Sequence, residues 1–215
     1  MTRALVVTGT DTDIGKTVVA AGLVGALGAD YWKPVQAGLD GETDRETVMR
    51  LAPCDAIRTH EEIYRLATPA SPHRAAALDG IEIDTARLTP PHSTRLLVIE
   101  GAGGLMVPLT PNELQIDLFA RWRFPVVLVA STRLGTINHT LLSIEALRAR
   151  AIPIVGVLFT GEANDNTERT IAAFGNTPAL GRLPHLAPLD STTLAGAFSH
   201  AIDVPAILSA MERTP

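Results

Sequence analysis

The stretch GTDTDIGKT at residues 9–17 follows directly on the apolar run ALVVT at 4–8 and constrains the fold more than any other segment. A buried strand, a glycine-containing turn and a helix opening at GKT place backbone N–H groups and a helix N-terminus around an anion. In such a loop Lys16 reaches the outer phosphates of a nucleotide and the Thr17 hydroxyl binds Mg²⁺. Five residues separate Gly9 from Gly15, where the plain GxxxxGK[ST] pattern has four, so this is a phosphate-loop variant with its own geometry. The bland alternative is a strand–turn–helix corner without a ligand, in which Gly15 only permits the turn.

The remaining chain alternates short apolar runs with helical segments. Strands are expected at 3–8, 30–35, 94–100, 125–131, 153–159 and 179–184, and helices at 16–28, 43–52, 114–122, 139–150, 166–175 and 204–212. Strands that are apolar throughout, not alternating, are buried on both faces, which implies a parallel sheet covered by helices. The βαβ alternation predicts an α/β fold: a single-domain, doubly wound, mostly parallel sheet with helices on both faces, like that of P-loop NTPases, spanning 1–215. Residues 53–93, rich in Pro and His, read as an irregular excursion over the carboxyl edge of the sheet.

The bulk properties exclude several classes. A net charge of −5 without a basic block argues against nucleic acid or an anionic membrane as partner. No apolar run approaches the roughly 18 residues of a spanning helix, and MTRALVVTGT lacks a secretory signal and reads as the start of the fold. The lone Cys54 leaves no intrachain disulfide and no Cys-rich zinc site. These features read as a cytoplasmic protein of bacterial type.

Only two of the 18 basic residues are lysines, Lys16 and Lys33. Codon bias toward Arg explains the scarcity but not the positions. Lys16 belongs to GKT, and Lys33 ends the run DYWK at an expected strand terminus. A compact ammonium fits a phosphate or a reacting oxygen where a planar guanidinium does not, so both lysines are candidate functional groups. The strand TRLLVIE ends in Glu100, where ligands bind in open α/β sheets, and Glu100 is the candidate second holder of Mg²⁺. The glycines of GAGG behind it allow close approach of a ligand to the backbone. Asp44 in GETDRE is a candidate third metal ligand, or equally an ordinary helix N-cap.

Together GTDTDIGKT, WKPVQAG, TPASPH, IEGAGG and RLGTINH resemble the dethiobiotin synthetase family, in that family's order and over most of residues 1–160. IEGAGG or GKT alone is shared with other P-loop enzymes; the combination is far more specific. The resemblance implies an ATP-dependent ring closure in biotin biosynthesis. CO₂ (from bicarbonate) adds to an amine of 7,8-diaminononanoate, ATP phosphorylates the carbamate, and the neighbouring amine closes the ring with release of ADP and phosphate. It also implies the roles. Asp13, Ile14, Gly15, Lys16, Thr17 and Val18 wrap the phosphates; Thr17, Asp44 and Glu100 hold Mg²⁺; Glu100, Gly101, Ala102 and Gly103 border the nucleotide. Lys33, Lys16 and Thr12 are catalytic, with Thr12 beside the diamine. Ala37, Ser71, Pro72 and His73 shape the substrate pocket. Gly135, Thr136, Ile137 and Asn138, from the partner subunit of a homodimer, receive the substrate tail.

The chain departs from the family pattern at several positions. Ala37 replaces a frequent hydroxyl residue, Asp13 a longer Glu, and Arg133 a Lys. Thr160 and Gly161 stand where an Asn that reads the base is expected, which bears on discrimination between bases. Leu183, Pro184 and His185 line the base pocket less specifically. Without the resemblance, His73 reads as a surface residue and Gly135 and Asn138 as a loop and helix cap. Two other functions share the core: a P-loop amidation enzyme or small-molecule kinase, and a partitioning-type regulatory ATPase. The first needs a glutaminase domain or an Arg-bearing lid. The second carries an extra lysine at the start of its loop, where this chain has Thr10 and Asp11.

Overall fold

The computed structural model describes residues 2–53 and 58–213; Cys54 lies outside the described residues. In chain order the elements are β1 (Ala4–Gly9), α1 (Lys16–Leu27), β2 (Asp30–Trp32), β3 (Val35–Ala37), α2 (Asp44–Leu51), β4 (Thr59–His60), β5 (Tyr64–Leu66) and α3 (Pro72–Asp79). They continue with β6 (Leu97–Gly104), α4 (Gln115–Trp122), β7 (Val126–Ser131), α5 (Thr136–Ala149), β8 (Ile154–Thr160), α6 (Asp165–Gly175), β9 (Ala179–Leu183), α7 (Ser191–Ala201) and α8 (Val204–Glu212). Seven strands form one parallel sheet in the order β4-β2-β6-β1-β7-β8-β9. This is the expected doubly wound architecture.

The central strand shows why continuous apolar runs were needed. Leu5 and Val7 of β1 join a core with Val19 and Leu23 of α1, Leu51 of α2, Phe198 of α7 and Met211 of α8. Ala4 and Val6 point the other way, toward Ile116 and Phe119 of α4 and Leu147 of α5. Adjacent residues on one strand thus serve opposite layers, so the run from Ala4 to Val7 is apolar throughout and polar Thr8 comes only at its carboxyl end.

Several boundaries differ from expectation, each for a local reason. The run DYWKPV is two strands, not one. Pro34 has no N–H to donate to a ladder, and its carbonyl instead accepts from the N–H groups of Ile63 (2.9 Å) and Tyr64 (3.2 Å). The chain leaves β2 at Trp32 and pairs anew as β3 with β5, so Lys33 sits at the step between two sheets. The strand expected at 94–100 starts at Leu97 and runs on through GAGG to Gly104, which pairs with Gly9 after a register shift. A Cβ on Gly104 would stand 3.4 Å from the Gly9 carbonyl oxygen, so glycine allows this strand to run close beside the start of the loop. Residues 53–93 are not simply irregular: they contain β4, β5, α3 and a 3-10 turn at Thr85–Arg87, pieces too short for periodicity to reveal. Helix α5 begins at Thr136, not at 139, because Gly135 takes a left-handed φ of 95° and turns the chain into it. Helix α7 was not expected, although Asp190 caps its first N–H groups and Leu194 and Phe198 are buried one turn apart.

Candidate active site at the carboxyl ends of the strands

The loop after β1 rises at Thr10 and enters α1 at Lys16. Asp13 has a φ of 56° and Gly15 a φ of 89°, left-handed turns that curl the backbone before the helix. Lys16 is only 7% exposed, and its ammonium donates to the Asp11 carbonyl at 2.6 Å. Burial lowers its pKa, and the charge of Lys33 adds to that effect, while Glu100 and Asp44 act against it.

Four side chains, from α1, α2, β6 and the step between β2 and β3, converge behind the loop. Thr17 Oγ1 lies 2.9 Å from a carboxylate oxygen of Asp44 and 2.9 Å from one of Glu100. Lys33 Nζ is 3.3 Å from Glu100 Oε1 and makes a short contact with Asp44 Oδ2. Burial alone would lower the Lys33 pKa, but attraction to Glu100 and Asp44 and hydrogen bonds to both outweigh it, so the ammonium is held above the usual lysine value. Burial likewise opposes ionisation of Asp44, yet Lys33 and Thr17 hold its carboxyl below the usual range. The group is an ion-paired cluster with both signs retained.

Asp44 could have been a helix cap and is not. Thr43 caps α2, in a reciprocal box with Glu46. Asp44, the first helical residue, is thereby free to point at Thr17 and Lys33. Sequence reading missed two further residues. Tyr31, buried in β2, donates its hydroxyl to Glu100 Oε2 at 2.9 Å; burial and then the Glu100 charge raise its pKa well above normal, so it remains a donor. Gln115 at the start of α4 accepts from the Ala102 N–H (2.6 Å) and donates to the Gly104 carbonyl (3.1 Å), clamping the GAGG backbone. A polar residue heading an otherwise amphipathic helix was the available signal for Gln115; for Tyr31 it was a hydroxyl inside a buried strand.

Two cavities open on either side of the loop. One, of about 600 Å³, is lined by Thr12–Gly15, Val18, Thr136, Thr160, Gly161 and Leu183, Pro184 and His185. The other, of about 790 Å³, is lined by Lys16, Thr17, Lys33, Gln36, Ala37, Asp44, Ser71, Pro72, Glu100, Ala102 and Gly103, again with Thr12 and Asp13. Most expected site residues therefore lie on one of these walls. Gly101 lines neither: a Cβ there would meet the Gln115 amide at 2.8 Å and Phe119 at 2.9 Å, so it permits packing of α4. His73 also lines neither; its Nδ1 lies 3.2 Å from Ser71 Oγ. Gly135, Ile137 and Asn138 line neither cavity within one chain. They form the cap and first turn of α5, so their segment is part of the helix and does not precede it.

The donor set of Thr17, Asp44 and Glu100 is entirely oxygen, the chemistry that suits a hard cation such as Mg²⁺. Among the described residues no group of three His, Cys, Asp or Glu is placed to hold a metal. No helix among them is long and apolar enough to cross a membrane.

A parallel sheet with this loop at its central strand defines a nucleotide-binding protein of the P-loop class. Two solved structures share the fold: a ParA family ATPase from Chlorobium tepidum TLS (TM-score 0.53, 12% identity, covering 98% of both chains) and the septum site-determining protein MinD from Pyrococcus horikoshii OT3, solved with Mg-ADP (TM-score 0.53, 13% identity, covering 99% of this chain and 95% of that one). The family model described as AAA domain matches residues 3–193. The ATP-dependent dethiobiotin synthetase of Rhizorhabdus wittichii RW1 is 61% identical over 201 residues, 94% of this chain and 96% of the relative. That of Rhodopseudomonas palustris BisA53 is 59% identical over 204 residues, 95% and 96% of the two chains. The chain belongs to the dethiobiotin synthetase family.

The depressed Lys16 pKa carries a testable pH dependence. Phosphate oxygens favour the ammonium and raise its pKa on binding, so above the free-state value nucleotide binding must take up a proton. Affinity for ATP should then fall as pH rises through that value, by up to about tenfold per pH unit. Calorimetric titrations from neutral to alkaline pH should show this limb in the wild type and lose it in Lys16→Ala. A flat wild-type profile up to the range of a free lysine would contradict the assignment.

Proposed function

We propose that this protein is an ATP-dependent dethiobiotin synthetase, acting on 7,8-diaminononanoate, CO₂ and MgATP. The observation that carries the reading is the convergence of Lys33, Asp44, Glu100 and Thr17 on the cavity that Lys16 and the loop also line. The names of the relatives support the reaction class.

On this reading the cavity with Leu183, Pro184 and His185 takes the nucleoside, and Asp13 to Val18 wrap the phosphates. The cavity with Lys33 takes the diamine, flanked by Thr12, Ala37, Ser71 and Pro72. A carbamate formed there is an anion next to a triphosphate, and bringing the two together is unfavourable without intervening positive charge. Lys16 on the loop and Lys33 beneath it supply that charge from fixed positions. Phosphoryl transfer needs little beyond alignment and charge neutralisation, which a rigid strand end and helix start provide. Thr17, Asp44 and Glu100 would hold Mg²⁺, which when bound neutralises phosphate charge. Gln115 keeps the GAGG backbone in place as the wall of this cavity. At the head of α5, Gly135, Ile137 and Asn138 line neither cavity of their own chain, while Thr136 lines the nucleoside cavity; the N–H groups of Gly135 to Asn138 would receive the substrate carboxylate of the other subunit in a homodimer.

The test is phosphate release with MgATP and bicarbonate, with and without 7,8-diaminononanoate. Release that requires the diamine, with dethiobiotin among the products, is the expected result. Release indifferent to the diamine would point to a switch ATPase and overturn the proposal.

A further inference from the structure

The expected base-reading position, Thr160, faces the loop. Its hydroxyl donates to the carbonyl of Ile14 at 2.7 Å, across 146 residues of sequence. Its methyl packs on the next residue: a Cβ on Gly15 would lie 3.5 Å from Thr160 Cγ2. Both contacts fall on the same peptide unit, Ile14–Gly15. Thr160 itself is held firmly, since it ends β8 between Ser131 of β7 and Leu183 of β9 and its carbonyl accepts from the Thr132 N–H at 3.1 Å.

We infer that Thr160 is a positioning residue that orients the phosphate loop and does not read the base. The Ile14–Gly15 peptide is trans, so its N–H points opposite to its carbonyl. Holding the carbonyl against β8 therefore aims the Gly15 N–H away from β8. Among the described residues Thr160 is the side chain bonded to the Ile14 carbonyl, and Gly15, the N-cap of α1, offers no side-chain cap. A glycine with left-handed φ turns easily, so an external anchor has a clear task. The hydroxyl's one proton is committed to Ile14, which replaces the base contact expected of an Asn at this position. This inference rests on the reading of the loop as a phosphate site and adds a residue to it.

The experiment titrates ATP, GTP and tripolyphosphate, each with Mg²⁺, into wild type, Thr160→Val and Thr160→Ser. The diamine is left out, so an error in the assigned substrate leaves the test intact. Thr160→Val should weaken all three by the same factor, roughly tenfold for one lost hydrogen bond. Thr160→Ser, which keeps the hydroxyl, should bind within a small factor of wild type. If Thr160→Val does not fold, Thr160→Ala takes its place with the same expectation. A loss confined to ATP would restore the base-reading role and overturn the inference. So would equal losses in the Val and Ser variants, or no loss in either. Wild type that binds none of the three would overturn the loop reading itself.

Discussion

Replacing Lys33 with alanine should lower kcat by about 10²- to 10³-fold, the usual effect of removing one fixed charge donor from a reacting anion. On the proposed reading the phosphates would lie on the loop with Lys33 beneath it, so affinity for ATP should stay largely intact. The same change should destabilise the protein. Glu100 is 1% exposed and Lys33 6%, and removing one partner of a buried pair costs about 3–5 kcal/mol. Water reaches Asp44 more readily, its side chain being 29% exposed, so the cost falls mainly on Glu100. For a chain of this size that corresponds to a Tm lower by the order of 10 °C. The pH dependence has a definite sign. Because the Lys33 pKa is raised, its stabilisation is full at neutral pH and is lost only as pH climbs through the raised value. Because the Asp44 pKa is lowered, its share is lost as pH falls through the lowered value, below the ordinary carboxylate range. Lys33→Arg separates the two effects: it should recover most of the Tm and little of the turnover, since a planar guanidinium does not occupy the place of an ammonium. Unchanged turnover in Lys33→Ala would remove it from the catalytic set.

The complementary result is expected at Lys16. Lys16→Ala should weaken ATP binding by about 10- to 100-fold, the range for a charge-assisted hydrogen bond to phosphate, and turnover should fall with it. Its effect on the free protein should be small, because burial disfavours the Lys16 charge and the depressed pKa means that folding gains nothing from it. On the proposed reading one lysine would stabilise both the fold and the reaction, whereas the other would be held at a cost until a phosphate arrives. Thermal melts with and without ATP distinguish them: the nucleotide should raise the Tm of Lys33→Ala and leave that of Lys16→Ala nearly unmoved. Near-normal nucleotide affinity in Lys16→Ala would count against the phosphate-loop model.

Much of this could be read along the chain, and the reason is locality. The run ALVVT must be buried on both faces, GKT must open a helix, and Glu100 must lie on a strand, although that strand runs on to Gly104; each statement concerns a few consecutive residues. The two surviving lysines stood out for the same reason, as exceptions to a composition otherwise dominated by Arg. The split of DYWKPV was also available in principle, since Pro34 cannot donate to a ladder.

Other features depend on which strands become neighbours, and no local pattern states that. Thr17, Asp44 and Glu100 meet because β6 inserts between β1 and β2 and carries Glu100 beneath the head of α1. Whether Asp44 caps its helix was undecidable from GETDRE, because Thr43 and Asp44 are both good caps; the Thr43–Glu46 box takes the role and frees the carboxylate. Tyr31 and Gln115 look like core and helix residues until their partners Glu100 and Ala102 are in place. Thr160 carries the contrast furthest. By sequence, this chain determined a loop of phosphate-binding pattern at residues 9–17 and a strand over 153–159, one residue short of Thr160. Only the tertiary structure, by laying β8 against the side of that loop, decided that the threonine hydroxyl holds the loop's backbone, because hydrogen bonds form between neighbours in space and these two are 146 residues apart.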